Sequence, residues 1–139
     1  MRLNSDDYLL ITRDGVMLEY IIIEKIYVED NLRHTKKKFR RGMLPQELAE
    51  VILDNIDSNQ KNLKFKVISN IPQKIGGHSG FKAIFTFNNE GGLKYKSIYY
   101  GFMSGDYFYG IRYNASQRHY FARELETFKH VVASLRLSS

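Results

Sequence analysis

The stretch GFKAIFTFNNEGGLKYKSIYYGFMSGDYFYGIRYN, residues 80–114, decides the fold. Phe81, Ala83, Phe85 and Phe87 alternate with Lys82, Ile84, Thr86 and Asn88, the period of a strand whose successive side chains point to opposite sides. Asn88 to Gly92 supplies turn residues, Leu93 to Met103 returns, and Ser104-Gly105-Asp106 turns the chain again. Tyr107, Tyr109, Ile111 and Tyr113 then define one face of a third strand whose other face carries Phe108, Gly110 and Arg112. Turns this short leave no room for a crossover, so the three strands form an antiparallel meander.

Working outward, Phe121, Leu125, Phe128, Val132 and Leu135 recur at steps of four and three, which predicts an amphipathic helix capped by Ser116 and packed on the sheet. On the N-terminal side, Tyr8 to Thr12 reads as a strand, Asp14-Gly15 as a tight turn, and Met17 to Val28 as a long β-branched strand. Leu18, Tyr20 and Ile22 lie on one side of it, Ile21 and Ile23 on the other. A strand apolar on both sides is covered on both sides, which places it centrally in a sheet between layers.

Glu29 to Gly42 follows as a polar, basic connection. Pro45 suits the first turn of a helix, Glu47 lies near the positive end of its dipole, and Leu48, Val51, Ile52 and Ile56 keep helical spacing up to Ser58-Asn59. Leu63, Phe65 and Val67 alternate with Lys64 and Lys66 as a strand with one wet face, interrupted by Pro72 and the bend Gly76-Gly77-His78-Ser79-Gly80. The expectation is one α+β domain over residues 1–139, an antiparallel sheet between layers.

At 139 residues the chain is long enough to bury one core without disulfides or metal. A hydrophobic fraction of 43% against 26% charged is that of a soluble globular protein, and no apolar run approaches the ~18 residues a membrane span needs. The absence of cysteine excludes disulfides and thiolate chemistry and leaves the compartment open. Net charge is +6, and all of that excess sits in one segment. Arg33, Lys36, Lys37, Lys38, Arg40 and Arg41 crowd into nine residues without an acid, leaving 15 of the 21 basic residues to balance 15 acidic ones. Such a run is either a solvated connection or a contact surface for phosphates, acidic proteins or anionic lipid headgroups.

Asp14-Gly15 before a long strand, Met43-Leu44-Pro45-Gln46-Glu47-Leu48-Ala49 opening a helix, Ile75-Gly76-Gly77-His78-Ser79-Gly80-Phe81 entering the meander, and the ending Phe128 to Leu137 are similar to the PsbP-like superfamily. That superfamily also includes Ran-binding release factors and small bacterial envelope lipoproteins. The resemblance spans nearly the whole chain and implies an antiparallel sheet covered by helices on both faces, an α/β/α sandwich, and a role in binding proteins rather than in catalysis. It is nearest to the Gram-negative lipoprotein branch, whose members carry a signal peptide and a lipid-bearing cysteine ahead of the folded domain. Met1 to Asp7 lacks the apolar core of a signal peptide and the chain has no cysteine. The resemblance therefore implies a lipoprotein of the bacterial envelope or periplasm whose signal segment is absent from this chain, a cytoplasmic relative being the alternative. The basic run matches no motif of the superfamily.

Catalytic motifs fail on spacing. Gly77-His78-Ser79-Gly80-Phe81 has phenylalanine where a nucleophile elbow needs its second glycine. His119 and His130 stand about 16 Å apart along a helix and cannot share a metal, and the sequence has no His-x-x-x-His pair. Gly76-Gly77 and Gly91-Gly92 lack the Gly-Lys-Ser/Thr of a phosphate loop. No catalytic, cofactor or metal residue is assigned. Tyr95, Tyr99, Tyr100, Tyr107, Tyr109 and Tyr113 crowd two adjacent strands, either half-buried under helices or as an aromatic interface. The expected role is non-enzymatic: a protein-binding or accessory module of the cell envelope, or else a binder of nucleic acid or acidic lipid through residues 33–41.

Overall fold

The computed structural model describes residues 2–3, 8–13, 19–116 and 136–137, with side chains over 21–116. In chain order the elements are β1 (Arg2–Leu3), β2 (Tyr8–Arg13), β3 (Glu19–Tyr27), α1 (Pro45–Asp57), β4 (Leu63–Ile75), β5 (His78–Asn88), β6 (Lys94–Ser104), β7 (Tyr107–Ser116) and β8 (Arg136–Leu137). Six strands form an antiparallel sheet in the order β2-β3-β7-β6-β5-β4, and β1 and β8 pair in parallel as a separate two-stranded sheet. The meander expected from residues 80–114 is β5-β6-β7. The long apolar strand β3, expected at the centre, is an inner strand next to the edge, held between β2 and β7.

One part of the expected architecture is corrected. Among the described residues there is a single helix, α1, and it covers one face only, so what they form is a strand-dominated sheet with one helix and not the α/β/α sandwich expected. The second face is nonetheless apolar and buried, through Ile21, Ile23, Ile98, Phe102, Ile111 and Tyr113. Apolarity at both parities of β3 requires that both faces be shielded from water; it does not require that the shield be helical. The C-terminal helix read from Phe121 to Leu135 lies outside the described residues, as does the Asp14-Gly15 turn. Ser116 is the last residue of β7, opposite Tyr95.

A second correction concerns β4. Pro72 does not interrupt it: the strand runs thirteen residues and ends in a two-residue hairpin, Gly76-Gly77, between the paired Ile75 and His78. Both glycines have positive φ, 53° and 85°, which this tightest kind of hairpin demands. Proline is tolerated in a sheet at its edge, where no ladder bond is lost, and β4 is the edge. Register shifts between Leu63 and Lys66 and between Val67 and Ser69 mark two bulges, the first beside Lys64, whose φ is 53°. The second inverts the strand. Val67 pairs with Phe85 on the helix side, whereas Ile71 pairs with Lys82 and Ile75 with His78 on the far side.

Helix α1 is fixed at both ends. Glu47 accepts the Leu44 N–H at 2.9 Å, and Pro45 occupies the first turn, where no N–H is needed. At the other end the Ser58 N–H bonds to the Asp54 carbonyl at 2.9 Å, and the Asn62 amide caps the Ile56 carbonyl at 3.0 Å. Leu48, Ile52 and Ile56 form its buried stripe with Ala49, Val51 and Leu53, against Phe81, Ala83, Phe85 and Phe87 of β5.

Beneath the helix, the sheet holds a layer of rings over two glycines that face each other, Gly101 on β6 and Gly110 on β7. Phe81, Tyr99 and Phe108 stack there with centroids 5.8–6.4 Å apart. A Cβ at Gly110 would come within 2.1 Å of the Tyr99 hydroxyl, and one at Gly101 within 2.6 Å of the Phe81 and Phe108 rings. Gly110→Ala is therefore expected to destabilise the fold by about 1–3 kcal/mol or more through overpacking. Tyr99→Phe in the same chain should recover part of that loss, so that the double variant loses less than the two single losses added. Urea denaturation of the four proteins measures this, and a Gly110→Ala midpoint equal to wild type would refute the packing argument.

Candidate functional site

Residues 28–44 pass over the helix-covered side as an ordered strap. Phe39 is buried with its ring stacked on Phe108 at 4.5 Å, and Val28 donates its N–H to the Asp106 carbonyl at 2.8 Å. The N–H groups of His34 and Thr35 bond to the Asn55 side chain at 2.8 and 3.2 Å, and the Thr35 hydroxyl donates to Asp54. These anchors leave Arg33, Lys36, Lys37, Lys38, Arg40 and Arg41 exposed between them.

The six cations are not equivalent. Lys37 lies 2.7 Å from Glu50, Arg40 3.4 Å from Glu47 and Arg41 2.7 Å from Asp106. The hydrogen bond to Glu50 raises the Lys37 pKa, and that to Asp106 raises Arg41. Exposed pairs of this kind add little stability, but they place carboxylates beside half of the positive charge. Arg33, Lys36 and Lys38 have no acidic partner among the described residues. The run by itself could not reveal the split, because Glu47, Glu50 and Asp106 reach it only through the fold.

The tyrosines divide as well. Tyr95, Tyr99, Tyr109 and Tyr113 are buried, whereas Tyr100 and Tyr107 are half-buried. Lys25 stands 4.4 Å from the Tyr107 ring and Lys82 5.8 Å from that of Tyr100. The crowding on adjacent strands is mostly core packing.

A polar array crosses the sheet under the aromatic layer. Gly110 lets the Tyr99 hydroxyl reach over β7 to the Glu24 carboxylate on β3. Arg112, the register partner of Tyr99, extends the other way across the small Ser97, with its guanidinium 5.1 Å from the Phe85 ring and 5.5 Å from Phe87. One of its terminal nitrogens donates to Asn114 Oδ1 at 3.2 Å, an oxygen that also accepts the Ser97 hydroxyl. Its Nε is buried without a partner among the described residues. Burial pushes the Glu24 pKa above the usual carboxylate value, opposed by the Tyr99 hydrogen bond and the Arg112 charge. Burial and the neighbouring Glu24 push Tyr99 well above the usual phenol value.

Arg112 and Asn114 also form part of the wall of a cavity of about 500 Å³ at the end of the sheet where α1 stops. The loop after the helix supplies Asn59, Lys61 and Asn62, the β5–β6 turn supplies Asn89, Glu90 and Gly91, and Phe87 and Tyr95 give an apolar wall. Sequence reasoning missed this site. Its one signal was a charged and an amide side chain, Arg112 and Asn114, at the parity of β7 that otherwise carries Phe108 and Gly110.

Among the described residues no cluster of three or more His, Asp or Glu could hold a metal ion, and no helix is long and apolar enough to cross a membrane. His34 is exposed and His78 stacks on Phe102 at 4.6 Å, while His119 and His130 lie outside the described residues.

No protein-family profile matches the chain, and no curated protein matches its sequence. Among solved structures it is similar to PA94, a protein of unknown function from Pseudomonas aeruginosa, with a TM-score of 0.69 and 10% identity over 97% of this chain and 84% of that one. At that identity the likeness is one of fold alone.

The array makes stability depend on pH. Because the Glu24 pKa is higher folded than unfolded, its contribution is full below the unfolded carboxyl value of about 4.3 and is lost as pH rises through the folded value. Glu24→Gln should remove that dependence and be more stable than wild type at neutral pH. Urea midpoints of both proteins between about pH 4 and 8 test this; parallel curves would refute it.

Proposed function

We propose that this chain is a protein-binding module that takes an extended segment of its partner along the outer edge of β4. The observation that carries this reading is the concentration of exposed apolar side chains on one edge strand. Of five large hydrophobic residues exposed among those described, four lie on β4: Leu63 at 44%, Val67 at 40%, Ile68 at 54% and Ile71 at 47%. Among the described residues the strand pairs only with β5, so its other side offers backbone donors and acceptors to a further strand. Lys64, Lys66 and Lys74 on the same strand oppose pairing with a second copy and favour a segment that carries acidic residues between apolar ones.

A role in binding rather than catalysis, and a place in the bacterial envelope, are what the resemblance to PsbP-like lipoproteins adds to this reading. Tagged wild-type protein and an Ile68→Asp variant, each incubated with envelope extract, provide the test. Ile68 is exposed, so the variant should keep its thermal midpoint to within about 0.5 kcal/mol of stability while losing the partner that wild type recovers. Equal recovery by both proteins would refute docking at this edge.

The strap supports a second reading, polyanion binding, on the observation that Arg33, Lys36 and Lys38 are exposed and free of acidic partners among the described residues. Counterion release makes such binding fall steeply with salt. Replacing these three by glutamine should lower the salt needed for elution from heparin far more than replacing Lys37, Arg40 and Arg41. The opposite ranking would refute it.

A further inference from the structure

We infer that the cavity at the end of the sheet binds a small organic carboxylate. Its volume of about 500 Å³ is within the range of small-ligand sites, and its lining pairs an apolar wall with converging polar groups. Phe87 and Tyr95, stacked at 5.3 Å, form the wall. The charged lining residues are Arg112, Lys61 and Glu90, one net positive charge.

Among the described residues, Arg112, Asn59, Asn89 and Lys61 keep donors to spare. Arg112 gives a single hydrogen bond, to Asn114, has no carboxylate at ion-pair distance among the described residues, and keeps a buried Nε without a partner. Arg112 is half-buried, and a guanidinium with one hydrogen bond keeps terminal N–H groups for an acceptor in the cavity. Asn59 and Asn89 spend their side-chain oxygens on the N–H groups of Lys61 and Leu93, which leaves their amide NH₂ groups as donors, and the Lys61 ammonium has no ion pair among the described residues. Such a lining selects an acceptor with negative charge.

Two features select a monoanion over a phosphate dianion. Glu90 stands on the lining, and the loop carrying Asn59 and Lys61 directly follows the C-terminus of α1, the negative end of its dipole. A planar carboxylate matches the fork of Arg112, and an attached apolar body covers Phe87 and Tyr95. This site shares no residue with the exposed apolar set of β4, so it stands whether or not a partner docks there.

The test is a titration of the full chain with sodium benzoate, followed by amide NMR, with inorganic phosphate as competitor. Saturable shifts are expected in residues 59–62 and 89–91, unchanged in Ile68→Asp. Affinity should fall at least tenfold in Lys61→Gln, whose exposed side chain can be changed without disturbing the core, and in Arg112→Lys, which keeps the charge but loses the fork. Phosphate at equal concentration should not displace benzoate. Absence of shifts, equal affinity in a folded Lys61→Gln, or displacement by phosphate would each overturn the proposal.

Discussion

The packing of the helix-covered side depends on what is missing at Gly101 and Gly110. Facing each other on β6 and β7, they leave the sheet locally bare, and three rings fill the space: Phe81, Tyr99 and Phe108. The rest of this side is arranged around that filling. Phe39 holds the strap by stacking on Phe108, and Tyr99, lying across Gly110, carries its hydroxyl to Glu24 on the neighbouring strand. Packing close to the density of a crystal tolerates no extra methyl group at such a point.

The same arrangement explains how charged groups enter a sheet interior. Burial of a charge is costly unless it is met by a partner. Glu24 is met by Tyr99 and, at longer range, by the charge of Arg112; Arg112 is met by the faces of Phe85 and Phe87 and by Asn114, which is itself satisfied by Ser97. Small residues make the reach possible in both directions, Gly110 for Tyr99 and Ser97 for Arg112. The sheet thus carries a line of polarity from its centre toward its end, where the cavity opens.

Much of the backbone was legible in the sequence because short-range patterns dictate it. Alternation at Phe81 to Phe87 and at Tyr107 to Tyr113 located two strands, and Pro45 with the stripe from Leu48 to Ile56 located α1 almost to the residue. Pro72 misled, since a proline that breaks an inner strand is harmless at an edge, and edge position is a property of the whole sheet. Helices on both faces were what the resemblance implied, and Ile21 and Ile23 agreed with it only in reporting burial, not the nature of the cover. The site was the least legible part. Arg112 and Lys61 are fifty-one positions apart, and nothing local marks an arginine in a tyrosine-rich strand as the wall of a cavity.

Pairing of β3 with β7 has a consequence for how the chain reaches this state. Strands β4 to β7 join neighbours through tight turns and can zip in sequence, whereas β3 must find β7 across about eighty residues that include the strap and α1. Entropy lost in closing so long a loop is recovered only when contacts such as Ile23 with Ile111 are made, which places the docking of β2 and β3 late. Until then Ile111 and Tyr113 lie on an open strand edge, the state most exposed to wrong pairing with another chain. The fold's time of greatest vulnerability is thus the interval between completion of the meander and arrival of its N-terminal strands.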